Sequence, residues 1–108
     1  SLHDALPISS EQDKKIAVEG LKKIGLLLKS DEYDMVVLDE LNIALYYNLF
    51  KIDDVIEILK NKNPKLEVII TGRYAPDKII EIADLVTEMK EIKHYYNIGV
   101  PARVGIEK

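Results

Sequence analysis

An acidic pair that directly follows an apolar run is the first candidate for chemistry in this chain. Asp39 and Glu40 come after residues 35–38, which are Met, Val, Val and Leu. Apolar residues followed by an acid form the Walker B pattern, in which a carboxylate at a strand tip holds Mg²⁺ directly or through water. The competing interpretation is structural, because an acid after a strand is often a helix cap.

A second polar segment follows a second apolar run. Thr71, Gly72 and Arg73 come directly after residues 68–70, which are Val, Ile and Ile. A hydroxyl, a flexible backbone and a guanidinium can together meet phosphate oxygens. A Thr-Gly turn is also common without any ligand, so this short motif is a hypothesis for a binding site.

The elements that must position these segments are two strands and the helix between them. Residues 35–38 and 68–70 are apolar at successive positions, which predicts strands covered on both faces. Between them, apolar residues recur at i, i+3, i+4 and i+7: Ile52, Val55, Ile56 and Leu59. Strand, helix and strand in this order predict a parallel pair, so we expect Asp39 and Thr71 at the same edge of the sheet.

The flanking segments extend this α/β pattern. Apolar residues at helical spacing predict a helix of about five turns from Ser9. A third helix is predicted to begin near Pro76, and a further strand is predicted over residues 85–89. Residues 94–108 are expected to hold turns around a short strand or an extended arm, whereas residues 1–8 show no sustained period and are interpreted as a loose leader.

A nucleotide site would also require a phosphate-binding loop of the form G-x-x-x-x-G-K-[ST]. The comparable glycine spacing is Gly20 to Gly25, but Leu26 and Leu27 occupy the Lys and Ser/Thr positions and the segment belongs to the first helix. We therefore interpret these glycines as structural.

Histidine and tyrosine give weaker signals. His94 could contact a phosphate or a partner, but a single histidine without a second ligand nearby is more often structural. The pairs Tyr46-Tyr47 and Tyr95-Tyr96 could flank a planar ligand, although packing at the edge of a core or an interface is the more common role.

Composition bounds the class of protein. The 108 residues suit one domain or part of one, and a formal net charge of −4 opposes nucleic-acid binding. There is no cysteine, which excludes disulfides, thiolate metal sites and Cys nucleophiles. No apolar run approaches the roughly 20 residues of a membrane helix, so we expect a cytoplasmic protein without a membrane partner.

Several motifs in the same order resemble one known family. They are YDMVVLDELN at residues 33–42, VIITGR at residues 68–73, ADLVTEM at residues 83–89, Lys93-His94, and GVPARVGIE at residues 99–107. Together they closely resemble the ATP:corrinoid adenosyltransferases, the cob(I)yrinic acid a,c-diamide adenosyltransferase family of cobalamin biosynthesis and salvage. The resemblance runs from about Gln12 to the end of the chain.

The resemblance implies a RecA-like P-loop fold, usually homodimeric, with a parallel sheet and flanking helices. It also implies transfer of the 5′-deoxyadenosyl group of MgATP to the cobalt of a corrinoid such as cob(I)alamin, without a covalent protein nucleophile. By the family's pattern, Asp39 and Glu40 are the acids near Mg²⁺. Asn42 begins the segment beside the corrinoid, and the segment from Thr71 through Gly72 to Arg73 lies along the nucleotide.

The chain departs from this family in lacking the glycine-rich P-loop. We therefore interpret residues 9–108 as the C-terminal part of an adenosyltransferase domain with the N-terminal half missing, and expect the chain alone to be inactive and to self-associate. One alternative is a phospho-acceptor receiver domain, whose acid, hydroxyl and lysine Asp39, Thr71 and Lys93 would imitate. Another is an inert fragment that keeps a dimer surface.

Overall fold

The computed structural model describes residues 11–93, and within them the chain alternates helices with two strands. In chain order the elements are α1 (Glu11–Lys29), β1 (Met35–Leu38), α2 (Leu41–Tyr46), α3 (Ile52–Lys60), β2 (Glu67–Ile70) and α4 (Asp77–Ile82).

The first helix confirms the prediction of about five turns, since α1 contains 19 residues. Its first turn carries acids and its last turn carries Lys29, which matches the partial charges at the two ends of a helix. Gly20 and Gly25 both lie within α1, so neither belongs to a phosphate-binding loop. The predicted start at Ser9 lies outside the described residues.

The two strands form a parallel pair, as the sequence predicts. Met35 is paired with Glu67 and Leu38 with Ile70. The chain crosses from β1 to β2 through α2 and α3, and α3 carries the apolar stripe expected of the crossover helix. The carboxyl ends of both strands therefore lie at one edge.

The core lies between the helices and one face of this sheet. One cluster joins the buried residues Leu28, Val36 and Leu66. A second cluster joins buried residues of α2, α3 and α4, namely Leu41, Leu45, Val55 and Ile79. Burial of these apolar side chains fixes the helices to the sheet and holds the strand tips in place.

The residues that the structure describes leave the other face of the sheet open, which corrects the expectation that both faces are covered. The exposed fractions are 54% for Met35, 53% for Val37 and 42% for Ile69. Successive side chains of a strand point to opposite faces, and the helices among residues 11–93 cover one of them. An apolar run shows that both faces suit burial, but it does not supply the element that would cover the second face.

The strand predicted over residues 85–89 does not form. This segment has no regular secondary structure, and its apolar side chains are exposed. A strand needs hydrogen bonds from a neighbouring strand, and in the described part of the chain none lies beside this segment. The predictions for His94, for Tyr95-Tyr96 and for the turns of residues 94–108 lie outside the described residues.

Pro76 precedes α4 in extended conformation, as expected for a helix that begins near it. Within residues 11–93, no helix has the length and hydropathy needed to cross a bilayer.

Candidate functional site

The two polar strand tips contact each other directly. The Thr71 hydroxyl donates a hydrogen bond of 2.7 Å to Oδ1 of Asp39, and the backbone N–H of Glu40 donates one of 3.0 Å to the Thr71 hydroxyl oxygen. The parallel register brings these residues together, because Leu38 and Ile70 are paired at the last position of the ladder. The structure thus unites the two segments singled out in the sequence.

Glu40 has an unusual backbone at the start of α2. Its φ is 62° and its ψ is 18°, which is the left-handed region that non-glycine residues seldom adopt. Its carboxylate makes no capping hydrogen bond to α2 and is exposed. The interpretation of Glu40 as a side-chain helix cap is therefore wrong, and its carboxylate remains accessible to a ligand.

Asn42 is buried and links the two strand tips through hydrogen bonds. It is 5% exposed, its backbone N–H donates to the Thr71 carbonyl at 3.3 Å, and its Nδ2 donates to the Gly72 carbonyl at 2.9 Å. Its Oδ1 is buried and accepts no hydrogen bond from the residues that the structure describes. Asn42 thus positions the loop after β2, a role that its sequence position alone did not reveal.

The backbone conformation at position 72 and the close neighbouring atoms both require a glycine there. Its φ of 121° is a conformation that residues with a Cβ rarely adopt. A Cβ placed there would lie 3.2 Å from Cβ of Asn42 and 3.4 Å from Cα of Glu40. The glycine lets the chain turn tightly beside Asn42 and leave the sheet toward Arg73.

Arg73 lines a cavity of about 370 Å³ beside the acidic tip. The cavity is lined by Glu40, Ile43, Tyr47, Arg73 and Tyr74. It therefore places one acid and one guanidinium around a partly aromatic wall, a combination suited to a ligand with both polar and planar parts.

An aromatic cluster borders this cavity. The rings of Tyr46 and Tyr74 are stacked with centroids 4.4 Å apart, and Tyr46 meets Tyr47 edge to face at 5.0 Å. The sequence indicated the Tyr46-Tyr47 pair but missed Tyr74, whose φ of 61° turns it back toward α2. The signal available in the sequence was a tyrosine, Tyr74, directly after the Thr-Gly-Arg segment, but spacing alone does not predict its positive φ.

The acidic tip fits a magnesium ion that is held mostly by other ligands. Asp39 and Glu40 are exposed, and among residues 11–93 no group of three or more His, Asp or Glu side chains could enclose a metal ion. Mg²⁺ in nucleotide sites commonly takes one or two carboxylates and completes its shell with water and phosphate oxygens. Two neighbouring acids therefore suit this mode of binding and do not suit a closed all-protein cage.

These features define a class: an α/β protein with an acidic pair and a Thr-Gly-Arg turn at the carboxyl edge of a parallel sheet. Residues 4–107 match the family described as ATP:corrinoid adenosyltransferase BtuR/CobO/CobP. The chain belongs to this family.

Curated relatives agree with this assignment. The chain is 40% identical to a corrinoid adenosyltransferase of Sinorhizobium sp over 97 residues, which are 89% of this chain and 45% of that protein. It is 37% identical over 97 residues to a corrinoid adenosyltransferase of Escherichia coli strain K12, covering 90% of this chain and 50% of the relative. A third relative, corrinoid adenosyltransferase CobA of Salmonella typhimurium, is 40% identical over 74 residues, which are 68% of this chain and 38% of that protein. The chain thus spans about half the length of the curated relatives it matches.

Proposed function

We propose that the complete protein transfers the 5′-deoxyadenosyl group of MgATP to a cob(I) corrinoid, either cob(I)alamin or cob(I)yrinic acid a,c-diamide. The family assignment supports the reaction class. The observation that carries the proposal at the level of residues is the contact between the Thr71 hydroxyl and Asp39, which joins the acidic tip to the Thr-Gly-Arg turn.

We assign residues 9–108 to the C-terminal part of a RecA-like P-loop domain. The 108 residues contain no G-x-x-x-x-G-K-[ST] motif, and the matched relatives are about twice as long as the matched region. Phosphate cradling is therefore assigned to another segment of the complete enzyme, and a homodimer in the cytoplasm is its proposed state.

The proposed reaction forms a bond from cobalt to carbon. The electron pair of cob(I), which belongs to the substrate, attacks C5′ of ATP while the bond from C5′ to the phosphate oxygen breaks. The electron pair of the broken bond leaves with tripolyphosphate, and the cobalt becomes formally Co(III). The protein must hold C5′ in line with cobalt and neutralise the leaving group, and it contributes no covalent nucleophile.

Each residue of the site has a role that follows from its position. Asp39 and Glu40 would hold Mg²⁺, which when bound neutralises charge on the triphosphate. Thr71 keeps Asp39 oriented, and Arg73 offers a cation at the nucleotide side of the cavity. Asn42 would act mainly as a buried support: its hydrogen bonds fix the carbonyls of the turn next to the space assigned to the corrinoid.

The test is substitution of the two acids in a complete enzyme that carries this C-terminal part. Asp39→Asn and Glu40→Gln should each lower the adenosylation rate at least tenfold, the equivalent of about 1.4 kcal/mol in the barrier. Both side chains are exposed, so the circular dichroism spectrum and the melting temperature should change little. The assay follows formation of adenosylcobalamin optically under strong reductant.

The matched control is Glu19→Gln, which removes an exposed acid from α1 far along the chain from the strand tips. It should leave the rate unchanged. Wild-type rates in both the Asp39 and Glu40 variants would remove the acidic tip from the mechanism.

A further inference from the structure

Arg73 is an exposed cation of the candidate site that makes no ion pair within residues 11–93, where the pairs found lie elsewhere. Its side chain lines the cavity beside the acidic tip. A long, exposed side chain has many rotamers, and ordering it on a ligand costs free energy. The contacts that fix the backbone at Arg73 therefore affect how well its guanidinium binds an anion.

Arg73 lies between two residues with a left-handed backbone. The φ of Gly72 is 121° and the φ of Tyr74 is 61°. Glycine adopts such a conformation at little cost, whereas tyrosine does not. A bulky residue keeps a positive φ when its surroundings compensate for the strain, and such residues are concentrated at functional sites. The turn around Arg73 therefore needs contacts on both sides that hold its shape.

The side before Arg73 is held by hydrogen bonds from Asn42. Nδ2 of Asn42 donates to the Gly72 carbonyl at 2.9 Å, and its backbone N–H donates to the Thr71 carbonyl at 3.3 Å. In the described part of the chain, the N–H groups of Arg73 and Tyr74 donate to no other backbone group. Backbone hydrogen bonding thus fixes the turn before Arg73 and does not extend beyond it.

The side after Arg73 is held by an aromatic stack. The ring of Tyr74 lies on the ring of Tyr46, with centroids 4.4 Å apart and an angle of 29° between the ring planes. Tyr46 is 53% exposed and Tyr74 is 57% exposed, so this contact is not part of the hydrophobic core. The energy of an aromatic contact and the cost of a left-handed backbone are of the same order. The stack is therefore strong enough to hold Tyr74 in its conformation.

Both contacts come from α2. Asn42 and Tyr46 are four residues apart, a spacing that puts two side chains on the same face of a helix. The buried residues Leu41 and Leu45 fix α2 to the core. Tyr46 is not among the residues that line the cavity, so its effect on a ligand there passes through neighbours such as Tyr74. One firmly packed helix thus holds the turn on either side of Arg73.

We propose that Tyr46 is a positioning residue: by stacking on Tyr74, it fixes the turn that directs Arg73 toward the polyphosphate of the nucleotide. This inference rests on the proposed function, which puts Arg73 at the nucleotide side of the cavity. A guanidinium binds phosphate oxygens best when its direction is fixed, because less freedom is then lost on binding. Asn42 and Tyr46 act as a pair, one on each side of Arg73.

A rival interpretation gives Tyr74 a direct contact with the nucleobase, because Tyr74 itself lines the cavity. The effect of a direct contact would not depend on Arg73. A residue that acts by positioning Arg73 has no effect once the guanidinium is absent, so a double-mutant cycle with Arg73→Ala separates the two interpretations.

The experiment measures the dissociation constant for MgATP by isothermal calorimetry in a complete enzyme that carries this C-terminal part. Arg73→Ala should weaken binding roughly tenfold or more, since charge-assisted hydrogen bonds are lost. Tyr46→Leu and Tyr74→Asn should each weaken it roughly three- to tenfold, the range expected for one aromatic contact. Asparagine tolerates a left-handed backbone, so Tyr74→Asn removes the ring without adding strain. In the Arg73→Ala background, both substitutions should change the constant by less than about twofold.

Two conservative variants and one matched control accompany the cycle. Tyr46→Phe and Tyr74→Phe keep the rings and should bind MgATP as the wild type does. Tyr33→Leu is the matched control, because Tyr33 is 52% exposed and precedes β1 at the end opposite the strand tips. It should leave the constant within about twofold of wild type, as for a distant, independent position. Melting temperatures show that each variant is folded.

The outcomes separate this inference from the proposed function. Unchanged affinity in Tyr46→Leu beside a weakened Arg73→Ala enzyme would overturn the inference and leave the proposed reaction in place. An effect of Tyr46→Leu that persists without the guanidinium, or an Arg73→Ala enzyme that binds MgATP normally, would also overturn it. A wild-type enzyme that binds MgATP but forms no adenosylcobalamin would instead overturn the proposed reaction, and the binding cycle would still decide the role of Tyr46.

Discussion

At the scale of single residues, Gly72 shows how tightly the site is built. Its positive φ and the short distances from a Cβ at this position to Asn42 and Glu40 both disfavour any other residue there. A side chain would have to move the buried Asn42, whose amide holds the Gly72 carbonyl. The backbone of the turn and the position of Asn42 are therefore coupled.

Gly72→Ala should accordingly destabilise the chain by about 1–3 kcal/mol, the usual cost of an unfavourable backbone conformation with some added crowding. Urea unfolding followed by circular dichroism measures the free energy of unfolding. Gly20→Ala is the control, because a Cβ on Gly20 meets nothing within 4 Å and lies within α1. The control should stabilise by about 0.5–1 kcal/mol, and equal effects in both variants would show that the turn can relax.

The sequence could predict that Asp39 and Thr71 meet, because parallel strands bring their carboxyl ends to one edge. It could not predict that Asn42 is buried and links the two strand tips, since its hydrogen bonds reach the carbonyls of Thr71 and Gly72, about 30 positions away in the chain. The stacking of Tyr74 on Tyr46 also depends on a positive φ that no residue-type preference indicates for tyrosine.

At the scale of elements, α3 and α4 are joined by an ion pair at the surface. Nζ of Lys78 donates to Oδ1 of Asp53 at 2.7 Å. This hydrogen bond, and secondly the charge of Lys78, lower the pKa of Asp53 below its ordinary value, and the same contact raises the pKa of Lys78. The pair therefore contributes stability above the ordinary pKa of a free aspartate and below that of a free lysine. That contribution is lost as pH falls through the lowered pKa of Asp53 or rises through the raised pKa of Lys78.

Asp53→Asn should lower the melting temperature slightly at about pH 7, where aspartate and lysine are both charged, and should have no such effect in strong acid, where Asp53 is protonated. Thermal melts across this range measure the difference. Asp54→Asn is a matched control, because Asp54 also lies in the first turn of α3 and loses the same interaction with the helix dipole. The effect of Asp53→Asn in excess of the control reports the pair, and identical pH profiles for the two variants would mean that it contributes nothing.

The elements predicted correctly are those with a complete local signal. The helical stripe of α3 and the apolar runs of β1 and β2 predicted helix and strands in the right order. Residues 85–89 have a similar apolar run but remain irregular, because pairing depends on a neighbour that a local pattern cannot specify. For the same reason the open face of the sheet was predicted to be covered.

At the scale of the whole molecule, the 108-residue chain should bind MgATP weakly or not at all and should not adenosylate cob(I)alamin. The triphosphate carries several negative charges, the chain has a formal net charge of −4, and its sequence offers no backbone cradle with a lysine. Isothermal calorimetry with MgATP and an optical adenosylation assay under strong reductant measure both properties. Micromolar binding with turnover would show that other residues hold the phosphates, and binding without turnover would favour the inert fragment.

The open face of the sheet also affects the free energy of unfolding of this part of the protein. Met35, Val37 and Ile69 are each about half exposed, and full burial of such a side chain contributes about 1.5–3 kcal/mol. Covering all three would add roughly 2–4 kcal/mol, a large fraction of the ~5–15 kcal/mol by which whole domains are stable. A given substitution therefore unfolds a larger share of molecules when the face is bare than when another segment covers it, even if its local cost is the same in both.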